Sequence, residues 1–409
     1  MSILNIVSGS YCHSKDLVKN LIDRLGYTYI EDSQILAETE KQYSVSVKKL
    51  YRAMYHKPSI FNSFTHEKER NIAILKKVLA ESLNGDKLVY HGFLGLLMPP
   101  TVSHVLKVCL IADIDYRIRE AIKQDGVSEK DALKAIKKYD EEHNTWTQHL
   151  FELPPWDSSL YDIVIPVDKT PVEDTYALIE ENLNSYVLQT TPESLQDMDD
   201  IVLAARVEVE LAGKGHDVLV YCHKGEITLT INKHVLRLEH LENELKSIVS
   251  TLPDVKDVHT RVGPNYYKAD IYRKIDFEKP SKVLLVDDEK DFVQTLSKRL
   301  QMRDMGSVFV HDGEEAIALL KEEEPDVMVL DLRMPGIDGM EVLKRVKQES
   351  PHTEVIILTG HGSKEDEQMA MKLGAFAYLN KPVDIAVLTR YMHEAQNKVN
   401  EAKKGLVLI

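Results

Sequence analysis

The stretch Val327-Met-Val-Leu-Asp-Leu-Arg-Met-Pro-Gly-Ile-Asp-Gly339 decides the fold of the C-terminal part of the chain. Four apolar residues lead directly into Asp331, and a Pro-Gly pair then ends the strand. A continuous apolar run closed by turn residues is typical of a strand buried on both faces of a parallel sheet. We therefore expect Asp331 at the carboxyl end of that strand, where open α/β sheets place their chemistry.

Three further strands with polar ends follow the same pattern: Lys282-Val-Leu-Leu-Val-Asp-Asp288, Glu354-Val-Ile-Ile-Leu-Thr359 and Ala375-Phe-Ala-Tyr-Leu-Asn-Lys-Pro382. A helical pattern comes after each of them, which predicts parallel strands and a doubly wound α/β domain over residues 281–400. The crossover rule brings the carboxyl ends of these strands to one edge of the sheet. Asp287, Asp288 and Asp331 should meet there.

Three carboxylates at one edge predict a site for a divalent cation. Mg²⁺ fits best, because it prefers hard oxygen ligands, keeps several waters and bridges to phosphate. One carboxylate can then attack phosphorus, while Lys381 and Thr359 stabilise the incoming phosphoryl group. A single Asp at a strand end is more simply a solvated cap, but this ordered set on successive strands favours phosphoryl chemistry.

Residues 281–400 resemble the receiver domain of bacterial two-component response regulators, with a flavodoxin-like (βα)5 fold. The stretches Thr359-Gly-His-Gly362 and Met371-Lys-Leu-Gly-Ala-Phe-Ala-Tyr-Leu-Asn-Lys-Pro382 are especially like receivers of the nitrogen-regulatory kind. The resemblance implies phosphorylation by a sensor histidine kinase. It also implies a cis bond before Pro382.

The same resemblance assigns roles to individual residues. It implies that Asp331 is the phosphoacceptor and that Lys381 contacts the phosphoryl group. Thr359 and Tyr378 would form the switch pair, with Tyr378 turning inward when Thr359 moves toward the phosphoryl oxygens. The implied Mg²⁺ ligands are the side chains of Asp287, Asp288 and Asp331 and the backbone carbonyl of Arg333.

The amino-acid composition limits the number of domains and the classes of protein that the chain can belong to. A chain of 409 residues predicts two to four domains, and 43% hydrophobic with 29% charged residues is typical of a soluble globular protein. A net charge of −15 and the lack of a strongly basic stretch argue against a DNA-binding module. Cys12, Cys109 and Cys222 lie far apart and are expected to be reduced. Without a signal core or a long apolar run, we expect a cytoplasmic protein with no membrane span.

Residues 1–190 alternate between strands and helices, which predicts a parallel α/β domain. A capping box at Ser128-Glu-Lys-Asp131 opens one helix, predicted to reach about Glu142. This region resembles the cytidylate-kinase-like family of P-loop kinases. The similarity is carried by the stretches Arg24–Asp32, Cys109–Arg119, Ile136–His143 and Leu160–Ile165.

The phosphate loop of such a kinase is damaged in this chain. The stretch Ser8-Gly-Ser-Tyr-Cys-His-Ser-Lys15 keeps only Gly9, and bulky residues stand where backbone must approach a phosphate. Arg117 and Arg119 survive, but Asp140–His143 carries acids where arginines are expected. We predict a degenerate kinase fold with a solvated Lys15, used as a sensor or an output. The alternative is a receiver-regulated nucleoside monophosphate kinase of the cytidylate type, and nucleotide binding stays open between the two.

A small α+β domain is predicted over residues 195–275. A linker at Gln189–Ser194 precedes a helix over about Asp199–Ala212, and this helix begins an α-β-β-α-β order. The order resembles the BON domain, which suggests a spacer or a dimerisation module and hence a possible homodimer. His216, His223 and His234 are expected to be solvent-exposed rather than metal ligands. Gly263-Pro264 and Lys279-Pro280 bound a second linker.

Overall fold

The computed structural model describes residues 2–235, 237–264, 266, 282–301, 303, 305–360 and 362–405, leaving out the side chains of 63, 64 and 403–405. Its strands are β1 Ile3–Ser8, β2 Thr28–Glu31, β3 Leu88–His91, β4 Val105–Ile111, β5 Ile163–Pro166, β6 Leu219–His223, β7 Glu226–Ile231, β8 Asp257–Val262, β9 Val283–Val286, β10 Ser307–Val310, β11 Val327–Leu330, β12 Glu354–Thr359 and β13 Ala377–Asn380.

The α-helices are α1 Ser14–Leu25, α2 Asp32–Tyr43, α3 Val47–Tyr55, α4 Asn62–Thr65, α5 Glu67–Leu83, α6 Ile114–Asp125, α7 Glu129–Phe151, α8 Val172–Leu183, α9 Pro192–Gly213, α10 Leu238–Val249, α11 Lys290–Gln301, α12 Gly313–Glu322, α13 Gly339–Glu349, α14 Lys364–Lys372 and α15 Ile385–Gly405. Short 3₁₀ helices cover Phe93–Leu97, Ser158–Leu160 and Tyr186–Leu188. The described chain forms two compact units, one of 1–58, 67–212 and 217–273 and one of 59–66, 213–216 and 274–409.

The C-terminal sheet has five parallel strands in the order β10-β9-β11-β12-β13. Strand β11 is buried on both faces, as the apolar run predicts. Met328 and Leu330 pack into one apolar core, and Val327 and Val329 pack into the core on the opposite face. This is the flavodoxin-like strand order, so the predicted doubly wound fold is confirmed.

The N-terminal sheet is also parallel and five-stranded, in the order β2-β3-β1-β4-β5. Its central strand β1 is buried along its whole length. Ile3 and Val7 face one core, while Leu4 and Ile6 face the other. The parallel α/β fold predicted for this region is confirmed, and the stretch Ser8–Lys15 follows β1 at the carboxyl edge of the sheet.

The predicted α-β-β-α-β unit is present as α9, β6, β7, α10 and β8. Strand β7 pairs antiparallel with β6 and parallel with β8. Ile227, Leu229 and Ile231 of β7 are fully buried beneath the two helices. The other sheet face carries Thr228 and Thr230 of β7, and their partners Leu219 and Tyr221 on β6 are 62% and 57% exposed.

Helix α9 begins earlier than predicted, because part of the expected linker is its first turn. Pro192 suits the first helical position, since its missing N–H needs no partner there. Thr191 and Ser194 cap the helix reciprocally, with Thr191 N donating to Ser194 Oγ at 2.9 Å and Ser194 N donating to Thr191 Oγ1 at 3.1 Å. The predicted linker end at Lys279-Pro280 lies outside the described residues.

Helix α7 is longer than predicted, although its start is correct. Ser128 Oγ accepts a hydrogen bond from the Asp131 backbone N–H at 3.2 Å, as the capping box requires. The helix then continues past Glu142 to Phe151. His143, Trp146 and Thr147 are buried on its inner face, so the apolar stripe extends further than the first turns indicate.

Within the described ranges, we find no helix that is both long and apolar enough to cross a membrane.

Burial predicts how strongly the C-terminal sheet depends on β11. Replacing Met328, which is 0% exposed, by Ala should lower the free energy of unfolding by about 2–5 kcal/mol through lost burial and a residual cavity. Met371→Ala is the matched control, because Met371 is 47% exposed on α14 and its loss should cost less than about 0.5 kcal/mol. Urea unfolding followed by circular dichroism measures both, and equal losses would contradict the burial of β11.

Candidate functional site

Three carboxylates meet at the carboxyl edge of the C-terminal sheet. Asp287 and Asp288 follow β9 directly, and Asp331 follows the neighbouring strand β11. One oxygen from each lies within 4.8 Å of the other two, and Asp287 and Asp331 are only 4% and 5% exposed. Like charges this close and this buried repel unless a cation neutralises them. The structure therefore brings together the three acids that the sequence places at strand ends.

Lys381 supplies a cation to this group. Its Nζ lies 2.7 Å from Asp287 Oδ2, 2.9 Å from Asp331 Oδ2 and 3.0 Å from Glu289 Oε1. Burial acts to lower the pKa of Lys381, but the hydrogen bonds to Asp287, Asp331 and Glu289 outweigh it and hold the pKa above its usual value. The ammonium therefore stays charged. Its backbone N–H donates to the Thr359 carbonyl at 2.9 Å, and the peptide bond to Pro382 is cis.

The loop after Asp331 is closed by contacts between backbone segments. Gly339 N donates to the Leu332 carbonyl at 3.0 Å. A Cβ on Gly339 would lie 2.1 Å from the Asp331 carbonyl oxygen and 2.7 Å from Leu332 Cα, so only glycine fits. Arg333 N donates to Asp331 Oδ1 at 3.2 Å, which places the Arg333 peptide beside the carboxylate. The loop thus fixes the orientation of Asp331 through its own backbone.

Thr359 and Tyr378 both adjoin Gly362. Thr359 ends β12 and is fully buried. A Cβ built on Gly362 would lie 1.7 Å from Tyr378 Oη and 3.0 Å from Thr359 Cγ2. Tyr378 therefore points inward into a slot that exists because residue 362 has no side chain. Its hydroxyl is buried without a hydrogen-bond partner among the described residues.

Side chains of α6 and α7 contact the loop that follows β1 in the N-terminal sheet. The contacts are Tyr139 Oη to the Ser8 carbonyl at 3.0 Å, Arg117 Nε to the Ser10 carbonyl at 2.9 Å, Tyr11 Oη to Asp125 Oδ2 at 2.7 Å, and His13 Nε2 to Glu120 Oε2 at 2.8 Å. Tyr11 and His13 adopt positive φ angles of 60° and 53°. The loop is bound to protein groups where a working loop holds phosphate.

Arg117 is the centre of these contacts and is only 6% exposed. Its Nη1 lies 3.0 Å from Asp140 Oδ2, and its Nη2 lies 2.8 Å from Asp140 Oδ1 and 2.8 Å from Ser10 Oγ. Burial raises the pKa of the adjacent Cys12 to about 11 despite the nearby guanidinium, so this thiol is unreactive at neutral pH. Lys15 and Arg119 are exposed, as solvated side chains would be.

Two family descriptions match the chain. Residues 283–393 match "Response regulator receiver domain", and residues 3–169 match "Cytidylate kinase-like family". The chain carries a C-terminal receiver domain and an N-terminal cytidylate-kinase-like domain.

Curated relatives and solved structures are similar to the receiver domain. The transcriptional regulatory protein GlrR of Escherichia coli (strain K12) is 37% identical over 117 residues, which are 29% of this chain and 26% of that protein. CpxR of Klebsiella pneumoniae, also a transcriptional regulatory protein, is 36% identical over 130 residues, 30% of this chain and 55% of that protein. A crystal structure of a response regulator receiver domain protein from Clostridium thermocellum is 34% identical with a TM-score of 0.29, covering 30% of this chain and 98% of the other.

Two residues of the receiver domain escaped the sequence analysis. Glu289 accepts a hydrogen bond from Lys381, and the Phe292 ring centroid lies 4.4 Å from Lys381 Nζ in a cation–π contact. Glu289 directly follows the Asp-Asp pair, which is a signal that could have identified it. Nothing in the sequence marks Phe292, because its role depends on where α11 passes Lys381.

The histidines of the middle unit differ partly from expectation. His223 is exposed and His234 is half-buried, but His216 is only 3% exposed. None of the three joins a metal-ligand group within the residues that the structure describes, where the single such group is Asp287, Asp288 and Asp331.

The slot beside Gly362 gives a testable prediction. Gly362→Ala should expel Tyr378, because the added methyl group overlaps its hydroxyl. The substitution should cost about 1–3 kcal/mol of unfolding free energy in the native background and much less in a Tyr378→Ala background. A double-mutant cycle from urea unfolding measures this coupling.

Gly360→Ala is the matched control in the same loop. Its Cβ would meet only Lys381 side-chain carbons, at 3.8 and 3.9 Å, which is ordinary van der Waals contact. Strictly additive effects of Gly362→Ala and Tyr378→Ala would show that the ring does not occupy this slot.

Proposed function

We propose that the chain is a two-component response regulator that a sensor histidine kinase phosphorylates on Asp331. The supporting observation is the arrangement of Asp331 with Asp287, Asp288 and Lys381 at the carboxyl edge of the parallel sheet. The chain spans 26% of GlrR and 55% of CpxR, so the activity of the whole protein is part of this proposal.

The chemistry at Asp331 is a displacement at phosphorus. A carboxylate oxygen of Asp331 forms a bond to phosphorus while the bond from phosphorus to the donor's histidine nitrogen breaks. The nitrogen keeps the electron pair and takes up a proton from solvent. Lys381, held 2.9 Å from Asp331, lies where it can stabilise the negative charge of the phosphoryl oxygens.

The donor set fits Mg²⁺. Carboxylate oxygens of Asp287, Asp288 and Asp331 and the backbone carbonyl of Arg333 would hold the ion, since Mg²⁺ prefers hard oxygen ligands. When bound, Mg²⁺ neutralises charge on the carboxylates and on the phosphoryl oxygens. Asp287 is already paired with Lys381, so the lysine must share this carboxylate with the ion.

Thr359 and Tyr378 are the proposed switch pair. Thr359 ends the strand beside β11, so its hydroxyl can follow the charge added at Asp331. Tyr378 already lies inward, with a hydroxyl that lacks a partner among the described residues. A buried hydroxyl without a partner costs about 1–3 kcal/mol, so this rotamer is sensitive to any new hydrogen-bond acceptor nearby.

The N-terminal domain is proposed to be a degenerate kinase fold that serves as sensor or output. A working loop directs backbone N–H groups at a phosphate, whereas Ser10 directs its carbonyl oxygen at Arg117. Phosphoryl transfer depends on positioned cations, and the guanidinium of Arg117 is already paired with Asp140. The alternative of a receiver-regulated nucleoside monophosphate kinase requires both contacts to break.

The remaining assignments are proposals of the same kind. We divide the chain into a kinase-like domain over residues 1–190, a BON-like domain over 195–275 and the receiver over 281–400. The middle domain would act as a spacer or mediate a homodimer. A cytoplasmic location and a lack of DNA binding are also proposed, and the net charge of −15 supports the second.

Phosphorylation of Asp331 can be tested directly. Incubating the full chain with acetyl phosphate and Mg²⁺ should add the mass of one phosphoryl group, and chelation of the metal should prevent it. Asp331→Asn should abolish the gain, because the amide lacks the nucleophilic carboxylate. Asp338→Asn is the matched control on the same loop, since Asp338 is exposed and only caps α13. Intact-protein mass spectrometry measures the outcome, and an unchanged gain in Asp331→Asn would refute the assignment.

The kinase alternative has its own test. With ATP and CMP, the full chain should show no turnover above the rate without protein, because Arg117 is engaged by Asp140 and Ser10. A coupled assay for ADP detects turnover. If the unaltered chain shows turnover and Arg117→Ala abolishes it, the domain is an active kinase and the proposal of a degenerate fold is overturned. The assignment of Asp331 would not be affected.

A further inference from the structure

Arg117 is a buried cation that donates hydrogen bonds to Ser10 and Asp140 of the same domain. Nε donates to the Ser10 carbonyl, Nη2 donates to Ser10 Oγ, and both terminal nitrogens donate to Asp140. A guanidinium has five N–H donors, and these contacts use four of them. A Cβ on Gly9 would lie 3.4 Å from Arg117 Cζ, so the guanidinium packs directly against the loop backbone.

Asp140 binds Arg117 through both carboxylate oxygens, at 2.8 and 3.0 Å. This two-pronged geometry is shared by carboxylates and phosphates, because both present two oxygens to the arginine fork. The carboxylate thus satisfies the guanidinium in the way that a phosphate group would. It also neutralises a buried cation beside the loop.

We propose that Asp140 is a built-in anion that masks a binding site for phosphate-bearing ligands on Arg117. The site consists of the Arg117 guanidinium and the Ser10 hydroxyl. An incoming phosphate must replace the Asp140 carboxylate, because two anions cannot share one guanidinium without repulsion. Asp140 is 30% exposed in its side chain, so the exchange has access to solvent.

The surrounding contacts explain why the masked state persists. Tyr139, one residue before Asp140, donates to the Ser8 carbonyl, which ties α7 to the loop. Tyr11 and His13 are bonded to Asp125 and Glu120 of α6. The loop, α6 and α7 are therefore linked at several points. A ligand that displaces Asp140 would also disturb the contact between Tyr139 and the start of the loop.

Neutralising Asp140 should uncover the site. The probe is inorganic pyrophosphate, titrated into the full chain by isothermal calorimetry. We expect no binding by the unaltered protein at millimolar pyrophosphate and a gain of about 10- to 100-fold in affinity for Asp140→Asn, since hydrogen bonds to a charged group become available. Adding Arg117→Gln to Asp140→Asn should remove the gain.

Asp125→Asn is the matched control. It removes the same charge from the neighbouring helix but leaves the pair between Arg117 and Asp140 intact, so it should bind pyrophosphate no better than the unaltered protein. A gain in Asp125→Asn equal to that in Asp140→Asn would overturn the proposal, because net charge alone would then explain it. Asp140→Ser gives the same test should Asp140→Asn lose its native circular dichroism spectrum.

The inference depends on the proposed non-catalytic role of this domain, and the two can fail separately. If the unaltered protein binds pyrophosphate but shows no turnover, the masking by Asp140 is overturned and the non-catalytic role stands. Turnover with ATP and CMP would overturn the proposal that the N-terminal domain is a degenerate kinase fold. A folded Asp140→Asn that binds no pyrophosphate would also remove the masked site.

Discussion

The contact of Lys381 Nζ with Asp287 and Asp331 is the interaction on which the receiver domain depends. Two carboxylates that are about 95% buried can stay ionised side by side only if a cation lies between them. The strand order requires a long side chain at this position. Strand β12 lies between β11 and β13, so Lys381 must reach past the end of β12. Its backbone hydrogen bond to the Thr359 carbonyl holds it at that position. Three strands thus share one electrostatic centre.

Negative charges outnumber positive charges at this centre. The carboxylates of Asp287, Asp288, Asp331 and Glu289 outnumber the single ammonium of Lys381, so the centre carries an excess of negative charge. The residual negative charge disfavours an approaching phosphoryl group until a cation arrives. This excess of acids supports the proposal of a metal-dependent reaction. The Phe292 ring centroid lies 4.4 Å from Lys381 Nζ, and this cation–π contact adds to the contacts of the ammonium with Asp287, Asp331 and Glu289.

How far the sequence predicts this site depends on the range of each signal. Apolar runs and the residues that end them are local, and parallel crossovers bring strand ends together, so the positions of Asp287, Asp331 and Lys381 follow from pattern alone. The slot at Gly362 and the ring of Phe292 could not be predicted, because they depend on side-chain reach between elements distant in sequence. Pro192 was misread for a different reason: proline suits both a linker and a first helical turn.

Arg117 and Lys381 show how the same kind of ion pair can produce or suppress phosphate chemistry. Lys381 is shared by three acids, so the site keeps the negative charge that the proposed divalent cation would neutralise. Arg117 has one acid partner in two-pronged contact and a backbone carbonyl, so its charge is fully used. Phosphoryl transfer relies on cations that remain available to the reacting group. At the edge of the receiver sheet several acids share one ammonium, whereas beside the Ser8–Lys15 loop Asp140 neutralises Arg117, and this difference supports the proposal that phosphoryl chemistry occurs at Asp331.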